Sequence, residues 1–187
     1  MLPLPTLTTS RLVLRPFRPI DAGAITELLN DPVVSATLET IPFPYKREYA
    51  ELWIPTHESL FATRGELHLG IELRESGHLI GSVGLLPQAD GSPPQLGYWL
   101  GQRYWSNGYA SEAVREVVRF ARCELGAKAV AARCMVCNPA SVAVLTHVGL
   151  RRVGRCQQPV VKGGVAREVD EFLVEFANDE RRFPPRA

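Results

Sequence analysis

No apolar run in the chain approaches the ~20 residues needed to span a bilayer. Its opening, Met1-Leu2-Pro3-Leu4-Pro5, has neither the basic stretch nor the uninterrupted apolar segment of a secretory leader. A cytoplasmic protein that engages no membrane is therefore expected. An excess of one charge is also lacking. The formal net charge is +1 over 187 residues, 22% of them charged and 45% hydrophobic, so there is no electrostatic footprint for nucleic acid. Cysteine is sparse: of Cys123, Cys134, Cys137 and Cys156, only Cys134-x-x-Cys137 has suggestive spacing. A zinc site would want a second ligand pair, and a redox pair would sit at a helix start within a βαβ unit. Reduced, structural cysteines and no metal are expected. With no internal repeat and no low-complexity linker, one domain is expected over residues 1–177, followed by a loose tail at 178–187.

Two familiar phosphate-binding patterns are missing as well: the three-glycine dinucleotide fingerprint, and the Gly-Lys-Ser/Thr ending of a P-loop. What the chain has instead is Gly97-Tyr98-Trp99-Leu100-Gly101-Gln102-Arg103-Tyr104-Trp105-Ser106-Asn107-Gly108-Tyr109-Ala110-Ser111-Glu112-Ala113. This reads as an apolar strand, a turn of small residues and the start of a helix. Backbone N–H groups at a helix start lack partners and lie at the positive end of the macrodipole, so little side-chain bulk there lets a pyrophosphate approach them. Arg103 is expected to add a cation nearby. An ordinary strand-to-helix turn, with glycine present only for geometry, would give the same spacing.

Around this segment the pattern alternates between the two periods. Residues 11–17 read as an opening strand ended by Pro16, and Asp21 as the cap of a helix running to about Asn30. Proline-rich loop is expected from Asp31-Pro32 through Ile41-Pro42-Phe43-Pro44-Tyr45, then a helix over 47–63 broken near Pro55. Leu67, Leu69, Ile71 and Leu73 alternate on one strand, and residues 78–86 form its antiparallel partner. Ala110, Ala113, Val114, Val117 and Ala121 form one helical face closed by Gly126. A buried strand follows over 129–136, and Asn138-Pro139 opens a short helix ending at Gly149. Val160, Val161, Phe172, Val174 and Phe176 flank the turn residues Lys162-Gly163-Gly164 as a terminal hairpin.

Three segments, in order, resemble one superfamily. Arg103-x-x-Ser106-x-Gly108 is similar to the Gln/Arg-x-x-Gly-x-Gly/Ala pattern with which GNAT acetyltransferases cradle the pyrophosphate of acetyl-CoA. Ser106 replaces the usual glycine, and a positive φ there would be strained. Thr9-Ser10-Arg11-Leu12-Val13-Leu14-Arg15-Pro16-Phe17 with Asp21, the 97–113 segment, and Asn138-Pro139-Ala140-Ser141-Val142-Ala143-Val144-Leu145 with Gly149-Leu150 resemble the RimJ/RimL-like subgroup, the bacterial ribosomal-protein N-terminal acetyltransferases. The resemblance implies an α/β fold with a mixed, mostly antiparallel central sheet, flanking helices and a V-shaped splay between two parallel strands. It implies acetyl-CoA as cosubstrate, held by Leu100, Arg103, Ser106, Asn107, Gly108, Tyr109, Ala110, Ser111 and Asn138. A backbone N–H near Tyr98 and Trp99 would polarise the acetyl carbonyl, and Ser141 would protonate the leaving thiolate. Asn138 and Ser141 also fit as caps of their own helix.

The general base stays open. Gln95 stands where many relatives carry glutamate and cannot take a proton, which leaves Glu66, His68, Glu72, His57 or water. An α-amine with pKa near 7.7–8.0 is ~10% neutral at pH 7, whereas a lysine is far less so, and a weak base therefore suits an α-amine. The expected partner is an amine acceptor, most directly a peptide or protein N-terminus, with an antibiotic-type small molecule or a non-catalytic CoA sensor as alternatives. Monomer and homodimer both remain open.

Overall fold

The computed structural model describes residues 3–158 and 167–177. Two strands, β1 (Leu7–Thr8) and β2 (Leu12–Arg15), lead into helices α1 (Asp21–Leu29), α2 (Pro32–Ala36) and α3 (Arg47–Trp53). A 3₁₀ turn at Ile54–Thr56 joins α3 to α4 (His57–Arg64), and β3 (Leu67–Leu73), β4 (Leu79–Leu86) and β5 (Gln95–Leu100) follow. The chain continues through α5 (Tyr109–Cys123), β6 (Ala129–Met135), α6 (Pro139–His147), β7 (Arg151–Gln158) and β8 (Arg167–Glu175).

The eight strands among the described residues form one sheet in the order β1-β2-β3-β4-β5-β6-β8-β7. Every neighbouring pair is antiparallel except β5 and β6, giving the mixed, mostly antiparallel sheet that was expected. Alternation divides each strand between two faces. Leu67, Leu69, Ile71, Val83, Leu85, Leu96, Val130 and Ala132 pack on one side under Ala113, Val114, Val117 and Ala121 of α5. Phe17, Trp99 and the α1 residues Ile25, Leu28 and Leu29 form a second core with Ala50 and Ile54. Each fully buried leucine or valine contributes roughly 1.5–3 kcal/mol. No helix among the described residues is long and apolar enough to cross a membrane.

Some local expectations are corrected. The cap of α1 is Ile20, not Asp21. The Asp21 carboxylate instead accepts from the Arg18 N–H (2.7 Å) and from Arg15 Nη1 and Nη2 (2.7 and 3.0 Å), while Arg15 Nε donates to Glu72 (2.6 Å). Arg15 is only 5% exposed, so both carboxylates serve to neutralise a buried guanidinium. Asp31-Pro32 ends one helix but also starts another: the Asp31 side chain accepts from the Val33 and Val34 N–H groups, and Pro32 takes the first turn of α2. The two-residue strand β1 was not anticipated. The expected turn at Lys162-Gly163-Gly164, with Val160 and Val161, and the tail from Asn178 lie outside the described residues.

Candidate active site

Strands β5 and β6 pair only at Gln95 with Ala131 and Leu96 with Ala132. Beyond that point β5 stays with β4, Gly97 opposite Gly84 and Leu100 opposite Gly81, while β6 follows β8, Arg133 opposite Glu171 and Met135 opposite Val169. The two strands therefore diverge, leaving a V-shaped cleft of about 1150 Å³ with a free β5 edge on one wall. A free edge offers unpaired backbone donors and acceptors to an extended ligand.

At the mouth of the V, Ser106 (φ +61°) and Gly108 (φ +77°) both take the left-handed conformation. The strain foreseen for Ser106 is thus present, of order 1–3 kcal/mol. Gly108 offers α5 no side-chain cap, and Tyr109, Ala110 and Ser111, whose N–H groups begin this helix, line the cleft. Ser106, Gly108, Tyr109, Ala110, Ser111, Leu100, Asn138 and Ser141 all line it.

Arg103 and Asn107 stand outside that lining. Arg103 Nη1 turns to Glu27 on α1 (3.0 Å), and its guanidinium lies over the Tyr104 ring. Asn107 braces the turn, Nδ2 donating to the Trp105 carbonyl at 2.9 Å. Arg11 is a cation beside the turn. Its Nε donates to Glu112 (2.7 Å) and its Nη1 to the Asn107 carbonyl (2.9 Å), and its guanidinium sits 4.6 Å from the Tyr109 ring centre. Glu112 also accepts from Thr9 Oγ1 (2.6 Å), Ser10 Oγ (2.9 Å) and the Arg11 N–H (2.9 Å). Burial pushes the Glu112 carboxyl up, but this set of hydrogen bonds outweighs it and holds the group at about 2. Thr9-Ser10-Arg11 and Glu112 both fell within resembling segments, yet nothing in their spacing announced the contact.

On the far wall, Asn138 Oδ1 accepts from the Ser141 N–H (3.1 Å) and caps α6. The Ser141 hydroxyl does not cap. It shares a 2.8 Å hydrogen bond with the Tyr98 hydroxyl, which also donates to the Ser141 carbonyl at 3.3 Å. Burial pushes the Tyr98 phenol up to about 12, against the hydrogen bond with Ser141, so it stays protonated at neutral pH. Burial also raises the neighbouring Cys134 thiol. Tyr98 enters the sequence reading only through its backbone; the phenol and serine pair is visible only once α6 is laid against β5.

Of the five candidates for a base, Glu72 is taken up by Arg15, and His57 is 2% exposed and does not line the cleft. His68 lines it together with Gln95, and Glu66 lies behind His68, its carboxylate 3.7 Å from Nε2. Elsewhere the cleft is apolar and aromatic near α2 and α3, with Leu38, Ile41, Tyr45, Tyr49 and Trp53, and among the described lining residues Glu39 is the one carboxylate. No group of three or more His, Cys, Asp or Glu side chains able to hold a metal occurs among the described residues.

A splayed parallel pair with an uncapped helix at its mouth is one half of an identification, and the sequence supplies the other. The profile of the family described as the acetyltransferase (GNAT) domain matches residues 11–151. The chain belongs to that family. It is therefore a GNAT-type acyltransferase, and the N-acetyltransferase YoaA of Bacillus subtilis, itself uncharacterised, is 28% identical over 176 residues, covering 91% of this chain and 96% of YoaA. Among solved structures, the ribosomal-protein-alanine acetyltransferase of Vibrio fischeri superposes with a TM-score of 0.81 at 14% identity, covering 93% of this chain and 98% of that one. RimL, a ribosomal-protein α-N-acetyltransferase in complex with coenzyme A, gives 0.80 at 16% identity over 91% and 98%. At these identities the shared property is the fold, and this GNAT domain has the same one.

Proposed function

We propose that this acetyltransferase moves the acetyl group of acetyl-CoA to a primary amine, and that the amine is the N-terminal α-amine of a peptide or protein. The observation that carries the reading is the V itself, with the first N–H groups of α5 at its mouth and a protonated hydroxyl pair on its inner wall. The residues present fit acetyl-CoA: a Cβ built on Gly97 meets nothing within 4 Å, so the strand carries no bulk where pantetheine would run along it.

In this reading the N–H groups of Tyr109, Ala110 and Ser111 receive the pyrophosphate, Ser106 and Gly108 keep the approach clear, and Asn138 lies beside the same ligand from α6. A β5 backbone N–H near Tyr98 and Trp99 faces the acetyl oxygen, where negative charge grows during attack, and such preorganised donors commonly supply the largest share of the rate. The Tyr98 and Ser141 pair delivers a proton to the sulfur as it leaves. A thiol near pKa 8.5 needs less help than an alcohol, so a weak acid held in place is adequate.

The choice of an α-amine is supported by the site having Gln95 where a glutamate would stand, by Glu39 being the one carboxylate among the described lining residues, and by neighbours of the same fold whose names give ribosomal proteins as substrates. A polyamine would call for several carboxylates. The test is an acceptor panel of N-terminal peptides, peptides with a blocked N-terminus and a free lysine, aminoglycosides and free amino acids, each with acetyl-CoA and read by thiol release. Transfer to the free N-termini alone is expected. Preference for the lysine or aminoglycoside arm would overturn the acceptor assignment, and acetyl-CoA binding with no turnover on any arm would favour a CoA sensor.

A further inference from the structure

The face of the sheet opposite Tyr98 has a gap in its middle. Register places His68 of β3 opposite Gly84 of β4, and Gly84 opposite Gly97 of β5. Directly paired residues project to the same face, so these three share one side of the sheet, flanked by Ser82 with Trp99 and by Leu86 with Gln95. At Gly84 the floor is covered by the Leu67 carbonyl and the His68 ring, and at Gly97 it is bare. A Cβ on Gly84 would lie 3.3 Å from His68 Nδ1, and one on Gly97 would point into open space. The imidazole therefore lies along a shallow trough whose other end is the β5 edge where the strands part.

Behind the trough the ring is held on three sides. Nε2 is 3.7 Å from the Glu66 carboxylate, which Arg64 of α4 approaches at 3.6 Å. The His57 ring of α4 stacks on it with centroids 4.9 Å apart and planes 27° from parallel, and Trp53 of α3 meets its edge at 5.4 Å. His57 packs against Phe17 and Trp53, and neither of its nitrogens has a hydrogen-bond partner among the described residues. Among the described residues, Glu66, Arg64 and His57 are the titratable or charged groups in contact with this cluster, with Arg15 of β2 opposite Gly70 farther along the same face; β4 presents the uncharged Ser82, Gly84 and Leu86.

We propose that His68 is the proton acceptor for the incoming amine, acting through a water that spans the Gly84 and Gly97 trough, with Glu66 and His57 as positioning residues. The proposal rests on the acetyl-transfer reading above. Gln95 then needs no acidic replacement on its own strand, because the base comes from β3, two strands away. As the amine nitrogen forms its bond to the acetyl carbon, the proton it sheds passes by way of the water to Nδ1. As the carbon–sulfur bond breaks, the sulfur keeps that bond's electron pair and takes a proton from the Tyr98 and Ser141 pair. His68 releases its proton to solvent and the hydroxyl pair regains one, so the net change is amine plus thioester to amide plus thiol. Burial lowers the basicity of His68 and Glu66 opposes this, with the balance downward, so the ring is uncharged and ready to accept at pH 7. The Glu66 carboxylate, 3.7 Å from Nε2, favours a proton on that nitrogen and leaves Nδ1, beside Gly84, to accept.

The test uses His68→Gln and His68→Ala in the full chain, with CoA affinity by calorimetry, kcat/KM for the amine from pH 5 to 9, and added imidazole. For His68→Gln, kcat/KM at pH 7 should fall by about 10²-fold, the usual worth of a placed base, while CoA affinity stays within about twofold. The additional acidic limb that His68 contributes should vanish, leaving the one set by the amine's own ionisation, and imidazole should restore part of the activity of His68→Ala but none to His68→Gln. Wild-type kcat/KM and pH profile in His68→Gln overturn the proposal. So does a deficit that keeps the wild-type pH profile and is untouched by imidazole in His68→Ala, since lost packing alone would produce it. If the wild type transfers acetyl to no amine, the activity reading falls and this proposal with it; if it does and His68→Gln matches it, only the proposal falls.

Discussion

The hydroxyls of Tyr98 and Ser141 lie 2.8 Å apart across the inner wall of the cleft, one on β5 and one in the first turn of α6. Because Asn138, not Ser141, supplies the side-chain cap of α6, the serine hydroxyl is free for this partnership. The two roles foreseen for the serine are thereby separated between two residues, and mutation can address each.

Ser141→Ala and Tyr98→Phe should each lower kcat by roughly 10–10²-fold with little change in CoA affinity, and the double variant should be no worse than the poorer single one, as for groups that act as a unit. Neither change should move the melting temperature as much as Asn138→Ala, which removes a cap worth ~1 kcal/mol. Fully additive effects of Tyr98→Phe and Ser141→Ala on kcat would refute a shared proton path. With Tyr98 held up at about 12, loss of its proton should leave no alkaline decline in kcat below pH 9.

Arg11 is bonded to the turn before α5 whereas Arg103 is paired with Glu27, and the two should respond differently. Arg11→Ala should weaken CoA binding about tenfold with kcat nearly unchanged, because it releases the Asn107 carbonyl and the first turn of α5 together. Arg103→Ala loses an exposed pair with Glu27, of a kind worth about 0–1 kcal/mol, and a contact over the Tyr104 ring, neither at the turn, and should bind CoA as the wild type does. Calorimetric titration with CoA decides this, and an equal loss in both variants would contradict the assignment. The depressed Glu112 carboxyl adds a pH signature: its contribution is complete above its ordinary value of 4.5 and is lost as pH falls toward about 2. The difference in stability between wild type and Glu112→Gln should therefore be constant from pH 5 upward and narrow below that.

The turn itself can be tested by moving its residues in opposite directions. Gly108→Val forces a β-branched residue into φ +77° with its Cβ 3.4 Å from Arg11 Nη2, and should abolish stabilisation by CoA. Ser106→Gly relieves a φ of +61° but adds chain entropy to the unfolded state, terms of similar size and opposite sign. It should leave CoA affinity and melting temperature close to wild type. Undiminished CoA-dependent thermal stabilisation of Gly108→Val would show that the pyrophosphate does not sit on this turn.

Much of this site was legible because its parts are local. The small residues from Ser106 to Ser111, the Asn138-Pro139 helix start and the alternation through β3, β4 and β5 are all set by rules of a few residues, and each lies where its pattern put it. What escaped depends on partners far away in sequence. Arg11 with Glu112, Tyr98 with Ser141 and Arg15 with Glu72 join different strands and helices, and no spacing rule connects positions 43 to 101 residues apart. Arg103 also has a partner that its place in the motif does not announce, Glu27 on a helix packed nearby. Asp21 likewise has the right residue type for a cap, yet the buried Arg15 guanidinium claims its carboxylate.

His57 is buried under the proposed base, and among the described residues neither of its nitrogens has a hydrogen-bond partner. Burial first, and then the neighbouring His68, lowers its pKa from 6.5 to about 4, so the folded protein keeps it neutral where the unfolded chain binds a proton. The sign follows from linkage. Stability from this group is complete above pH 6.5, is lost progressively as pH falls from 6.5 to about 4, and changes no further below. An interval of that width corresponds to a loss of about 3 kcal/mol at most. His57→Phe keeps an aromatic ring against Phe17 and Trp53 but has no proton to bind, so its urea unfolding free energy should vary less with pH across this window. The difference in unfolding free energy between variant and wild type, measured at pH 7, 6, 5 and 4.5, should shift steadily in favour of the variant as pH falls. A difference that stays constant over the series would mean that His57 reaches a proton in the folded state as readily as in the unfolded one, and that its burial between Phe17, Trp53 and His68 does not keep it neutral.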